Sequence, residues 1–228
     1  MAGKLNLTGP TSTEPHSAAP LHQLRRFSTL TPRVVAIGAS TGGPQALAAV
    51  LESLSPYADN VPIFIVLHMP NDFASVVSGY LERLTHRPTS IARNGEIAKP
   101  GNIYIAPGNV HLRLARGPVG AIMSYFDGPP ENFCKPAVDV LFRSAAKVYG
   151  PATLGLVLSG MGNDGLEGSR EIVDSGGSVI VQDAETSVVW GMPGAVATAG
   201  LASAILPLDQ IGLLTANLIR GFKSRLRA

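Results

Sequence analysis

The sequence predicts a doubly wound α/β fold: a mainly parallel sheet with helices on both faces and a small antiparallel extension. Three features carry that expectation. Short unbroken apolar runs rich in Val and Ile recur along the chain, amphipathic segments of helical length separate them, and turns bearing Gly or Pro join the two. Unbroken apolar strands are buried on both faces, and a parallel sheet reaches that state when crossover helices cover both sides.

Val34-Val35-Ala36-Ile37 reads as the first strand. A helix over 44–54 follows and can open on Pro44, since the first helical position has no use for an amide proton. A strand over 62–67 and a helix over 72–84 come next. Between residues 89 and 124 the strand candidates are short, turns are frequent and helical period is missing; Asn102-Ile103-Tyr104-Ile105-Ala106-Pro107-Gly108 is typical. That stretch supplies the antiparallel extension. Helices are expected again over 136–149, 166–174 and 208–222, with strands over 153–158 and 178–182. There is no internal repeat.

Residues 1–30 are rich in Thr, Ser, Pro and Ala and show neither period, so they read as a flexible tail, with one domain over 31–228. A segment that short buries too little apolar surface to offset its ordering entropy. The formal charge of +2, without a dense Lys/Arg block or aromatics interleaved with basic residues, argues against a nucleic-acid partner. Cys134 is the only cysteine, which excludes an internal disulfide and a multi-cysteine zinc site and suits a reducing compartment. No apolar run reaches the ~18 residues of a membrane span, and the start lacks the apolar core of a secretory signal. A cytoplasmic protein without direct membrane insertion is the expectation, and no metal or cofactor is called for.

Three predicted strand ends carry chemistry. Gly38-Ala39-Ser40-Thr41-Gly42-Gly43-Pro44 fits Gly-x-Ser-x-Gly between a strand and a helix. Small neighbours there let a sharp turn lift a nucleophile clear of the sheet, and the helix start offers free N–H groups for a developing oxyanion. By itself such a turn is also an ordinary loop or a phosphate cradle. Against a dinucleotide site, the end of the next strand carries His68 where an acidic residue would be wanted on the ribose. His68 can take a serine proton, or serve as a turn residue beside Met69-Pro70. Asp164, in Ser159-Gly160-Met161-Gly162-Asn163-Asp164-Gly165, can orient that imidazole, or cap the helix that follows. The order Ser, His, Asp differs from that of α/β-hydrolases, so the chemistry would sit on another fold.

At these motifs the chain resembles the catalytic domain of the bacterial chemotaxis protein-glutamate methylesterase family. The similarity continues through Tyr104-Ile105-Ala106-Pro107-Gly108, Lys135-Pro136-Ala137-Val138-Asp139-Val140-Leu141-Phe142, Gln182-Asp183 and Val188-Val189-Trp190-Gly191-Met192-Pro193. The resemblance implies a catalytic domain over 31–228, with Ser40 as nucleophile, His68 as base and Asp164 as the orienting carboxylate. From the resemblance alone, Thr41 stands beside the nucleophile and the Met161 backbone N–H is an oxyanion donor. It implies demethylation of glutamate methyl esters on the cytoplasmic helices of methylated chemoreceptors, with deamidation of receptor glutamines as a second activity. Nothing before Arg33 could be the family's receiver domain, so the chain reads either as an isolated catalytic domain or as a stand-alone enzyme, with a separate receiver or another chemotaxis regulator as a candidate partner. Phe133-Cys134-Lys135 departs from the more basic stretch expected before Pro136. Asp139, Met192 and His111 are read as packing or helix-end residues.

Two other readings stand beside this one. A binding module that kept the fold but not the chemistry should have lost a member of the triad, and none is lost; a nucleotide-binding enzyme would use the glycine turn as its phosphate site.

Overall fold

A computed structural model describes residues 23–70 and 73–222. Most of the tail expected over 1–30, and the start of the helix expected from Asp72, lie outside the described residues.

Among the described residues, seven strands form one sheet in the order β3-β4-β2-β1-β7-β8-β9, every neighbouring pair parallel. They are β1 (Val34–Ala39), β2 (Ile63–Leu67), β3 (Thr89–Ile91), β4 (Ile103–Ile105), β7 (Thr153–Val157), β8 (Ser178–Gln182) and β9 (Ala204–Leu206). Of the 89–124 stretch expected to supply the antiparallel extension, β3 and β4 instead join the parallel sheet beside β2, and only β5 (His111–Arg116) and β6 (Ala121–Phe126) form a separate antiparallel hairpin.

Alternate side chains of the sheet feed two cores, as the two-residue period of a strand requires. Val35, Ile37, Ile63 and Ile65 pack with α1 (Gly43–Leu54), α2 (Phe73–Thr85) and α6 (Leu208–Ile219). Val34, Ala36, Phe64 and Val66 pack with α3 (Val138–Tyr149), α4 (Leu166–Asp174), α5 (Met192–Thr198) and the hairpin. The hairpin is fastened to α3 by the Leu114 N–H, which donates to Ser144 Oγ at 3.0 Å.

The central order places the crossover from β1 to β2 on one side of β1 and β7 on its other side. Such a switch point opens a crevice at the carboxyl ends of the strands, where open α/β sheets bind their ligands. Ser40 begins the loop at that point.

Two elements were not foreseen. The seven-residue α5 starts at Met192-Pro193 and carries Gly194, where a Cβ would come within 2.8 Å of the Trp190 ring, so close packing overrides glycine's poor helix propensity. The three-residue β9 borders Pro207 and, among the described residues, pairs with β8 along one side. Of the 23–30 stretch, the Ser28 N–H donates to Ser178 Oγ at 2.8 Å and Ser28 Oγ donates to the Pro151 carbonyl at 2.7 Å.

Candidate active site

The three predicted site residues follow three adjacent strands. In the β1/β2 ladder Ala39 pairs with Leu67, so Ser40 and His68 leave the sheet side by side, and the His68 N–H donates to the Ala39 carbonyl at 3.0 Å. Asp164 arrives from the far side of β1, on the loop between β7 and α4.

The serine turn is built on close approach. The Ser40 N–H donates to the Ser159 carbonyl at 3.0 Å, and Ser159 Oγ donates to the Thr41 carbonyl at 2.8 Å while accepting from the Val189 N–H. Gly42 has φ of 77°, and a Cβ on it would sit 2.6 Å from Val188. A residue here must therefore be glycine on both backbone and steric grounds. The Gln182 side chain holds the opposite wall by accepting from the Ser159 N–H and donating to the Thr186 carbonyl, each at 2.8 Å. Thr41 is exposed beside Ser40.

His68 Nε2 donates to Asp164 Oδ2 at 2.8 Å, with the His side chain 13% exposed and that of Asp164 2%. A carboxylate only accepts, so this contact places the ring proton on Nε2 and leaves Nδ1 as the basic nitrogen. Nδ1 faces Cys134 Sγ at 3.5 Å. Among the described residues the Ser40 hydroxyl makes no direct hydrogen bond with the ring.

Asp164 does not cap α4. That helix has Gly165 at its N-cap, whereas Asp164 accepts from the first amides of α3: Val138 N–H on Oδ2 at 2.6 Å and Asp139 N–H on Oδ1 at 3.0 Å. Burial alone would raise the Asp164 pKa, but His68 and these amides hold the carboxyl below its ordinary range.

A second buried carboxylate lies behind the first. Asp139 accepts from the Gly168 N–H at 2.6 Å and from Asn132 Nδ2 at 2.8 Å, and Asn132 Nδ2 also reaches Asp164 Oδ1 at 3.4 Å. Burial pushes Asp139 up to about 6, the charge of Asp164 adds to the rise, and the Gly168 and Asn132 donors oppose it. The loop before α3 is tightly wound: Glu131 and Cys134 exchange backbone hydrogen bonds, and Asn132 and Phe133 have φ of 50° and 63°. It delivers Cys134 to His68. The sequence marked Cys134 as a lone thiol and as part of a departure from the family pattern but not as a neighbour of His68, 66 residues away, and it gave no signal for Asn132.

Met161 lies on the same loop as Asp164, 74% exposed, and no group accepts from its N–H among the described residues. His111 is structural: its Nε2 donates to the Pro129 carbonyl and its Nδ1 accepts from the Ala137 N–H. Met192 is fully buried.

The family model described as CheB methylesterase matches residues 35–214. The protein-glutamate methylesterase/protein-glutamine glutaminase of group 2 operon from Bradyrhizobium diazoefficiens is 50% identical over 200 residues, which make up 88% of this chain and 50% of that protein. The protein of the same description from Rhodopseudomonas palustris is also 50% identical over 200 residues, 88% of this chain and 51% of that protein. The crystal structure of the Thermotoga maritima CheB methylesterase catalytic domain aligns with a TM-score of 0.79 at 35% identity, over 83% of this chain and 100% of that one. The chain spans about half the length of the curated relatives it matches. With the sheet, hairpin and covering helices matched to a solved catalytic domain and the family model running from β1 into α6, this chain belongs to the CheB methylesterase family.

Proposed function

We propose that this chain is a serine hydrolase that demethylates glutamate γ-methyl esters on chemoreceptor helices and deamidates receptor glutamines, with Ser40, His68 and Asp164 as its triad. The observation that carries the reading is the buried His68–Asp164 hydrogen bond of 2.8 Å at the strand ends beside Ser40. The names of relatives at 50% identity, which state both activities, support the substrate class. No described helix is long and apolar enough to cross a membrane, which is compatible with work in the cytoplasm.

Asp164 holds the proton on Nε2, so the lone pair of Nδ1 takes the Ser40 proton as Oγ attacks the γ-carbonyl. The imidazolium formed is stabilised by the buried carboxylate. The oxyanion is met by the free Met161 N–H, with Thr41 next to the nucleophile in the chain. Nδ1–H then protonates the departing methoxide, and methanol leaves. Water, deprotonated by Nδ1, cleaves the glutamyl-serine ester to free glutamate; a glutamine substrate follows the same path with ammonia as the leaving group.

Ester hydrolysis with this geometry needs Nδ1 to turn from Cys134 toward Ser40, a side-chain adjustment of the kind that substrate binding imposes on resting sites. The test is methanol release from a methylated receptor fragment. Ser40→Ala is expected to lower it by about 10⁶ while circular dichroism is unchanged. Release near the wild-type rate from a folded Ser40→Ala protein would overturn the proposal.

A further inference from the structure

We propose that His68 and Cys134 form a chelating site for a soft divalent cation of the zinc class, and that a cation bound there silences the hydrolase. Cys134 Sγ lies 3.5 Å from His68 Nδ1. Zinc bonds of about 2.0–2.1 Å to nitrogen and about 2.3 Å to sulfur, at a tetrahedral angle, set the two donors about 3.5 Å apart. The bite is therefore already formed. The far nitrogen of the ring donates to Asp164 at 2.8 Å, and a carboxylate in that place fixes the tautomer that leaves Nδ1 free for a metal and strengthens it as a ligand. Donor atoms of His68, Cys134 and Asp164 all fall within 4.8 Å of one another.

The surroundings favour a cation. His68 and Cys134 are part-buried at the open edge of the sheet, so an ion can reach them. The reciprocal backbone hydrogen bonds between Glu131 and Cys134 fix the main chain that carries the thiol before an ion arrives. A dication is attracted by the Asp164 and Asp139 carboxylates, and the thiol proton leaves to solvent as the sulfur–metal bond forms. Its remaining positions stay open to water. The cation takes the Nδ1 lone pair to which the proposed mechanism passes the Ser40 proton, so occupancy and hydrolysis exclude each other. The silencing rests on that mechanism; the site itself does not.

Cobalt titration of the full chain tests the site. Cys134 is the only cysteine, so a thiolate-to-cobalt charge-transfer band in the near ultraviolet reports on it alone. The band is expected to saturate at one Co²⁺ per chain, to disappear in Cys134→Ser and in His68→Gln, to persist in Ser40→Ala, and to be displaced by Zn²⁺. Absence of the band, its survival in His68→Gln, or saturation at one cobalt per two chains would overturn the site. For the silencing, Zn²⁺ is expected to inhibit wild type at a concentration at least about tenfold below that needed for Cys134→Ser, each measured against its own metal-free rate. Equal sensitivity would overturn the silencing. A normal band in a protein that hydrolyses no ester would count against the proposed function and not against the metal site.

Discussion

At the scale of residues, Asp164 joins His68 to the fold. Its carboxylate accepts from His68 Nε2, from the Val138, Asp139 and Gly165 amides, and from Asn132 at 3.4 Å. Asp164→Asn cannot accept from all of these, because one of its two positions becomes a donor. The proposed mechanism expects kcat to fall by about 10⁴, as in other triads whose carboxylate becomes an amide. Loss of part of the α3 cap should cost a further ~1 kcal/mol of stability. Steady-state kinetics and urea denaturation separate the two effects, and an unchanged kcat would remove Asp164 from the mechanism. Asp139 makes the opposite electrostatic contribution. Its pKa rises from 3.8 to about 6 on folding, so between those values the folded chain binds more protons than the unfolded one and stability falls as pH rises. Asp139→Asn lacks that term. Its stability relative to wild type should improve between about pH 4 and pH 7 and then level off, whatever its absolute cost; parallel pH profiles in urea would contradict this.

At the scale of elements, the strand ends are set by what glycine permits. A Cβ on Gly160 would lie 2.3 Å from Met192 Sδ and 2.9 Å from Ser40 Cβ. Met192 is buried at the start of α5, so the strain falls on the serine turn. Gly160→Ala is expected to lower kcat/KM for ester hydrolysis at least about tenfold, since misplacing a nucleophile by a fraction of an ångström is costly. Wild-type kinetics in that variant would show that the turn tolerates the displacement. Longer elements were legible from the sequence because their signals are local: the apolar run of β1, the Pro44 start of α1, the amphipathic span of α3. Short α5 and β9 were not, since each is held by neighbours and not by its own period. The cap on α3 was also hidden. Asp164 precedes α4 in sequence and invites assignment to it, yet its carboxylate serves a helix that begins 26 residues earlier.

At the scale of the whole molecule, one parallel sheet separates two cores, and its strand order switches at β1, where Ser40 follows the strand's carboxyl end. That topology explains why Ser40, His68 and Asp164, far apart in the chain, were recognisable together: each follows an apolar strand, and parallel strands put their carboxyl ends on one edge. The inner ring of Asn132, Cys134 and Asp139 was not recognisable as a site, because a wound loop and a helix start bring it in from outside the sheet. The thiol beside His68 Nδ1 also makes Cys134 a rival to Ser40 for the attacking group of the proposed mechanism, and the two are distinguishable by trapping. Treatment of the chain with a fluorophosphonate, followed by peptide mass spectrometry, locates the group that attacks. The account expects one adduct, on the peptide that carries Ser40, absent in Ser40→Ala and formed more slowly in Asp164→Asn. An adduct on Cys134, or labelling of Ser40→Ala at the wild-type rate, would contradict it.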